Sequence, residues 1–130
     1  MPVGVLLVTH DGIGHTERAV AERLLGRLPL LVGVFELGFD APLDEALPQA
    51  SAALRKVDSG EGVLVLTDLY GASPSRLAKG LSQLGTPVRR ASGLSLPMLL
   101  RVLNHAECPL DELAKIAVSG ARNGVVADDA

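Results

Sequence analysis

Residues Gly4–His15 read GVLLVTHDGIGH. Val5, Leu6, Leu7, Val8 and Thr9 form an unbroken apolar run ahead of a turn, the pattern of a strand covered on both faces. In open parallel sheets, ligands and chemistry sit just beyond the carboxyl ends of the strands. His10 is the first residue past the run, so this reading projects it into that crevice. Asp11-Gly12-Ile13-Gly14 then makes the turn.

Working outward, Thr16 is expected to cap a helix over Thr16–Leu28, with Glu17 favouring its positive end and Pro29 closing it. A second buried strand is expected at Leu31–Phe35. After the loop Gly38–Pro42, apolar spacing predicts a helix to Val57, with Pro48 kinking it or marking its start. Val63–Thr67 is a third strand and ends in Asp68. Ser73-Pro74 reads as a helix start, a hydroxyl cap followed by proline at the first position, with the helix running to Leu84. Val88–Ser92 is a weaker strand, Leu96–Leu103 and Leu110–Val118 are helices, and Gly120–Ala127 is read as a final short strand. The alternation of strands and helices predicts an α/β fold: a doubly wound, mainly parallel four-stranded sheet with helices on both faces, plus that terminal strand. Residues 1–130 form one domain.

Composition narrows the function. Hydrophobic residues make up 48% of the 130 and aromatics only 2%, so the core is aliphatic. A net charge of −3 without a basic stripe argues against nucleic acid or an anionic membrane as partner. The single cysteine, Cys108, has no internal disulfide partner, which suits a reducing compartment. The amino terminus lacks the basic segment of a signal peptide, and no apolar stretch reaches membrane-spanning length.

Two strands therefore end in polar residues, His10 and Asp68. If the strands are neighbours, the carboxylate can bond one ring nitrogen, fix the tautomer and leave the other nitrogen free as nucleophile or base. The segment Gly71-Ala72-Ser73 adds a helix amino terminus whose free N–H groups, with the Ser73 hydroxyl, suit a phosphate. A histidine nucleophile, an orienting aspartate and an anion cradle describe phosphoryl transfer.

The stretches VLLVTHDGIG, GVLVLTDLYGASP, LPMLLRVL and LDELAKIAVSGARNGV resemble the enzyme IIA domain of the mannose class (mannose/fructose/sorbose) of the bacterial phosphoenolpyruvate-dependent sugar phosphotransferase system. The likeness covers essentially the whole chain. It implies a cytoplasmic phosphocarrier, which takes a phosphoryl group from phospho-HPr and passes it to a histidine of a IIB partner. No cofactor is expected, and an in-line transfer by histidine is expected to need no metal. His10 matches the phosphorylated histidine, Asp68 the aspartate that bonds it, and Ser73 the residue beside the phosphate. The resemblance also implies a homodimer in which a last strand, near Gly124–Ala127, is exchanged between subunits. Departures from the family pattern fall at Ala72, where a second glycine is common, and at Ser75 and Arg76, which alter the expected docking rim. Two other roles fit the same likeness: a regulatory protein whose binding depends on His10 phosphorylation, or a relay to dihydroxyacetone kinase.

The remaining polar residues have plainer readings. Asp11 either shapes the turn or tunes His10, since a nearby carboxylate favours imidazolium. His15 falls at a helix start, which disfavours imidazolium, and is read as peripheral. His105 and Cys108 lack the further ligands of a zinc site. Gly12-x-Gly14 is followed by Glu17 in place of the third glycine of a dinucleotide fingerprint, and no G-K-[ST] loop occurs.

Overall fold

Val5–Val8 and Val63–Leu66 are wholly removed from solvent, which requires helices on both faces of the strands that carry them. The computed structural model describes residues 2–129 and meets that requirement. Its elements are β1 (Gly4–His10), α1 (Gly14–Leu25), β2 (Val32–Leu37), α2 (Leu43–Val57), β3 (Val63–Thr67), α3 (Ser73–Leu81), β4 (Val88–Ser92), α4 (Leu96–Leu103) and α5 (Leu110–Asn123). The strands form one parallel sheet in the order β2-β1-β3-β4.

Alternate residues of the central strands feed two cores. Val5, Leu7, Leu64 and Leu66 pack with Ala21 of α1, Met98 and Leu99 of α4, and Leu113 and Ala117 of α5. Leu6, Val8, Val63 and Val65 pack with Ala50 and Leu54 of α2 and Leu77 and Leu81 of α3. Each fully buried leucine contributes about 1.5–3 kcal/mol by its removal from water. The chain leaves β1 toward β2 on one side and later reaches β3 on the other. The connections therefore diverge between the carboxyl ends of β1 and β3, the crevice where such sheets bind ligands.

Several element ends differ from expectation. Helix α1 starts at Gly14, two residues before the expected cap, and Thr16 lies inside it. It stops at Leu25 because Gly26 takes φ 84° and its N–H bonds back to the Glu22 carbonyl; Pro29 is not needed. Strand β2 runs one residue later at its start and two later at its end. Helix α2 continues through Pro48 without a break. Ser73 is not the cap of α3: Ala72 occupies that place, Ser73 is the first helical residue, and the helix ends at Leu81. Ser95, by contrast, caps α4 by accepting the Met98 N–H at 3.2 Å.

The largest difference is at the carboxyl end. Gly120–Asn123, expected in a strand, are the last turn of α5, and Val125–Ala127 belong to no strand of the single chain. The reason is a close helix–helix approach. A Cβ on Gly120 would stand 2.6 Å from Arg101 Cβ, and one on Gly124 would meet Pro97. Those glycines, legible as strand or turn residues in sequence, let α5 run on against α4.

Candidate functional site

Parallel pairing of β1 with β3 sets Val8 beside Thr67, so the residues that follow emerge together at the sheet edge. Asp68 Oδ2 lies 2.7 Å from His10 Nδ1 and 3.0 Å from the His10 backbone N–H. An ionised carboxylate only accepts hydrogen bonds, so the ring donates from Nδ1, and in a neutral imidazole Nε2 then keeps its lone pair. The His10 side chain is 20% exposed and that of Asp68 10%. The expected pairing of these two residues is present, with the imidazole reachable from solvent.

The loop after His10 is held by two residues that sequence reading passed over. The buried Thr9 hydroxyl donates to the His10 carbonyl at 2.8 Å and accepts the Gly14 N–H at 2.9 Å. Glu36, near the end of β2, accepts the Gly12 N–H with Oε1 at 3.0 Å and the His15 N–H with Oε2 at 2.9 Å. The opening N–H groups of α1 are thus satisfied from two strands rather than from a residue of the helix itself. These two bonds, from Gly12 and then His15, hold the Glu36 carboxyl below its ordinary value. A carboxylate in the otherwise apolar VGVFEL was the available signal.

Glu17 carries the opposite perturbation. Burial first, and the Asp68 charge second, push its carboxyl above the ordinary value. Glu17 Oε1 and Asp68 Oδ1 are both buried and accept no hydrogen bond from the described residues. The sequence reading gave Glu17 a role only in the helix dipole.

On the other flank, Leu69–Ala72 form a turn closed by the Ala72 N–H to the Leu69 carbonyl at 3.2 Å. Gly71 sits at its third position with φ 86°, a conformation that disfavours any side chain. Ala72 has φ −75°, so alanine fits there in place of glycine. The first bond inside α3 runs from the Arg76 N–H to the Ala72 carbonyl, which leaves the Ser73 and Ser75 N–H groups ahead of the helix ladder. The Ser73 hydroxyl accepts from Arg76 Nη2 at 3.1 Å. Of the two rim departures, only Arg76 is exposed; Ser75 is buried.

The other candidates lie apart from this pair. His15 is exposed in the first turn of α1, and Asp11 is exposed in the loop, with Oδ2 near Gly38. His105 Nδ1 faces the Arg101 carbonyl at 2.9 Å, one turn back, and Cys108 Sγ faces Glu107. Among the described residues, no helix is long and apolar enough to cross a membrane.

An α/β domain with a carboxylate-oriented histidine at its topological switch point is the class of protein defined so far. The family model of the PTS system fructose IIA component matches residues 4–117, and the chain belongs to that family of phosphotransferase-system IIA components. It is 29% identical over 129 residues to the PTS system mannose-specific EIIAB component of Escherichia coli K12; the match takes in 98% of this chain but 40% of that protein. A 51-residue segment is 43% identical to the E. coli K12 protein described as putative phosphotransferase enzyme IIA component YadI, 39% of this chain and 35% of that one. Among solved structures, the mannose/sorbose-specific IIA subunit from Enterococcus faecalis superposes with a TM-score of 0.88 at 22% identity, covering 100% of this chain and 97% of that one. The EIIA component from Streptococcus agalactiae gives 0.82 at 21% identity, with 98% of each chain covered. These two likenesses bear on the fold.

Proposed function

We propose that the domain, residues 1–130, is a phosphohistidine carrier of the sugar phosphotransferase system, with His10 as the residue that takes the phosphoryl group. The observation that carries this reading is the 2.7 Å bond from His10 Nδ1 to Asp68, which leaves Nε2 as a free nucleophile at the mouth of the sheet. The donor is phospho-HPr and the acceptor a IIB-type histidine. The Nε2 lone pair forms a bond to phosphorus in line with the breaking bond, whose electron pair returns to the donor histidine. The Nδ1 proton stays against Asp68, whose charge offsets the positive charge that develops on the ring. The exposed turn at Gly71, with Ala72 and the N–H and hydroxyl of Ser73, offers donors to the phosphoryl oxygens. Positioning and electrostatics supply the rate, and no metal takes part.

The carrier works in the cytoplasm, and the strand exchange implied by the family likeness would pair Val125–Ala127 with a second subunit in a homodimer. Val125 and Val126 are 84% and 70% exposed in the single chain, which favours such a partner for the tail.

Incubation with phosphoenolpyruvate, enzyme I and HPr tests the reading by intact mass. One acid-labile phosphoryl group is expected, retained in His15→Ala and absent in His10→Ala. A His10→Ala protein that labels like the parent would overturn it.

A further inference from the structure

The sequence contains three aromatic residues, two phenylalanines and one tyrosine. One of them, Phe39, is 77% exposed, yet its ring stacks on the His10 imidazole, centroids 5.0 Å apart and planes 27° from parallel. The backbone explains the placement. His10 pairs with Leu37 across β1 and β2, so the chain leaving β2 begins level with the histidine. A turn follows at once, closed by the Ala41 N–H to the Gly38 carbonyl at 3.1 Å, with Phe39 at its second position. The turn carries the ring back over the imidazole.

We infer that Phe39 is a positioning residue for the phosphoryl chemistry of His10, holding the plane of the imidazole and shielding phosphohistidine from water. Asp68 grips the ring at Nδ1 alone, and a single hydrogen bond leaves the ring free to tilt about that contact. A phenyl face against the imidazole removes the tilt and so fixes where Nε2 points. The stack also favours the ring when it carries positive charge, as it does once phosphorylated, because the aromatic face attracts cations. An apolar ring on one side closes an approach for water. Hydrolysis forms a bond from water oxygen to phosphorus as the Nε2–phosphorus bond breaks. The electron pair returns to Nε2, and the protons of water pass to the released phosphate and to solvent.

This inference rests on the carrier reading for its second half, the shielding; the first half, the orientation, is a property of the unphosphorylated protein. The test separates them. The parent, Phe39→Ala, Phe39→Leu and Phe39→Tyr are labelled with phosphoramidate, a small phosphoryl donor that needs no protein partner, with His10→Ala assigning the signal. The half-life of phospho-His10 and, before labelling, the ring tautomer of His10 are read by NMR. Because Phe39 is exposed, the variants keep their fold, which thermal melting checks. Phe39→Ala is expected to shorten the half-life by roughly two- to tenfold, the range carried by one aromatic contact, and to raise the fraction of His10 protonated at Nε2. Tyrosine should restore both and leucine only part. Parent-like decay and tautomer in Phe39→Ala would overturn the proposal. If His10 takes no phosphoryl group even from phosphoramidate or phospho-HPr, the carrier reading fails, and the tautomer alone then decides the orienting role.

Discussion

One oxygen of Asp68 takes two hydrogen bonds from His10, one from the ring and one from the backbone N–H of the same residue. The carboxylate thus fixes the histidine's main chain as well as its tautomer. Asp68→Asn can keep both bonds through its amide oxygen, but it removes the negative charge that offsets the positive charge developing on the ring. The phosphorylation rate with limiting phospho-HPr should fall by roughly 10²-fold or more, with the melting temperature little changed. A rate within twofold of the parent would remove Asp68 from the mechanism.

Glu36 joins the end of β2 to the start of α1. Glu36→Ala frees both the Gly12 and His15 N–H groups and should cost about 0.5–1 kcal/mol at neutral pH, a modest figure because the bonds face solvent. Glu36→Gln keeps one acceptor and should cost less. The folded-state carboxyl is lowered, so this stabilisation is present above the ordinary value of 4.5 and is lost as pH falls through the lowered folded value. Denaturant melts of parent and variant should therefore converge in acid; a gap that stays constant would contradict the assignment.

Glu17 should behave in the reverse sense. Its folded-state carboxyl is raised, so ionisation works against the fold as pH climbs past 4.5, and the full cost is present above the raised value. Glu17→Gln keeps the shape and removes the charge beside Asp68. We expect it to stabilise the protein by about 0.5–1 kcal/mol at pH 7, with the gain vanishing below pH 4. Equal or lower stability at pH 7 would show that the carboxylate is compensated in solution.

Gly14 opens α1 at a point of close approach. A Cβ there would stand 2.7 Å from Val34 Cγ1 and 3.1 Å from Thr9 Oγ1. Valine is stiff at its first side-chain torsion, so the clash cannot be relieved by a rotamer change alone. Gly14→Ala should cost roughly 1–3 kcal/mol, and Val34→Ala in the same chain should recover part of it. Strictly additive effects of the two changes would mean that the contact is not where the strain falls.

Much of this was legible in the sequence. Unbroken apolar runs at Val5–Thr9 and Val63–Thr67 announced central parallel strands, and their polar successors, His10 and Asp68, proved to be hydrogen-bonded neighbours. Helix ends were less legible, because the first turn of α1 is capped from the sheet. A hydroxyl five residues back and a carboxylate 21 residues ahead leave no local pattern. Gly120 and Gly124 were opaque for a related reason: their small size answers Arg101 and Pro97 on another helix, and nothing in their own neighbourhood records that. Phe39 sat unread in a Gly/Pro loop, although an aromatic there, in a chain with so few, is itself a signal.

His10 and Asp68 stand 58 positions apart in the chain, one ending β1 and the other just after β3, the two inner strands of the sheet, with β2 and β4 outside them. On the carrier reading, His10 is therefore an ordinary histidine until the middle of the sheet has assembled, and its loop and the ring stacked on it also need β2 in place. Competence for phosphoryl uptake and global folding should rise and fall as one cooperative event. A partly folded or nicked chain would drop out of the phosphate circuit, rather than lingering in it as a leaky member.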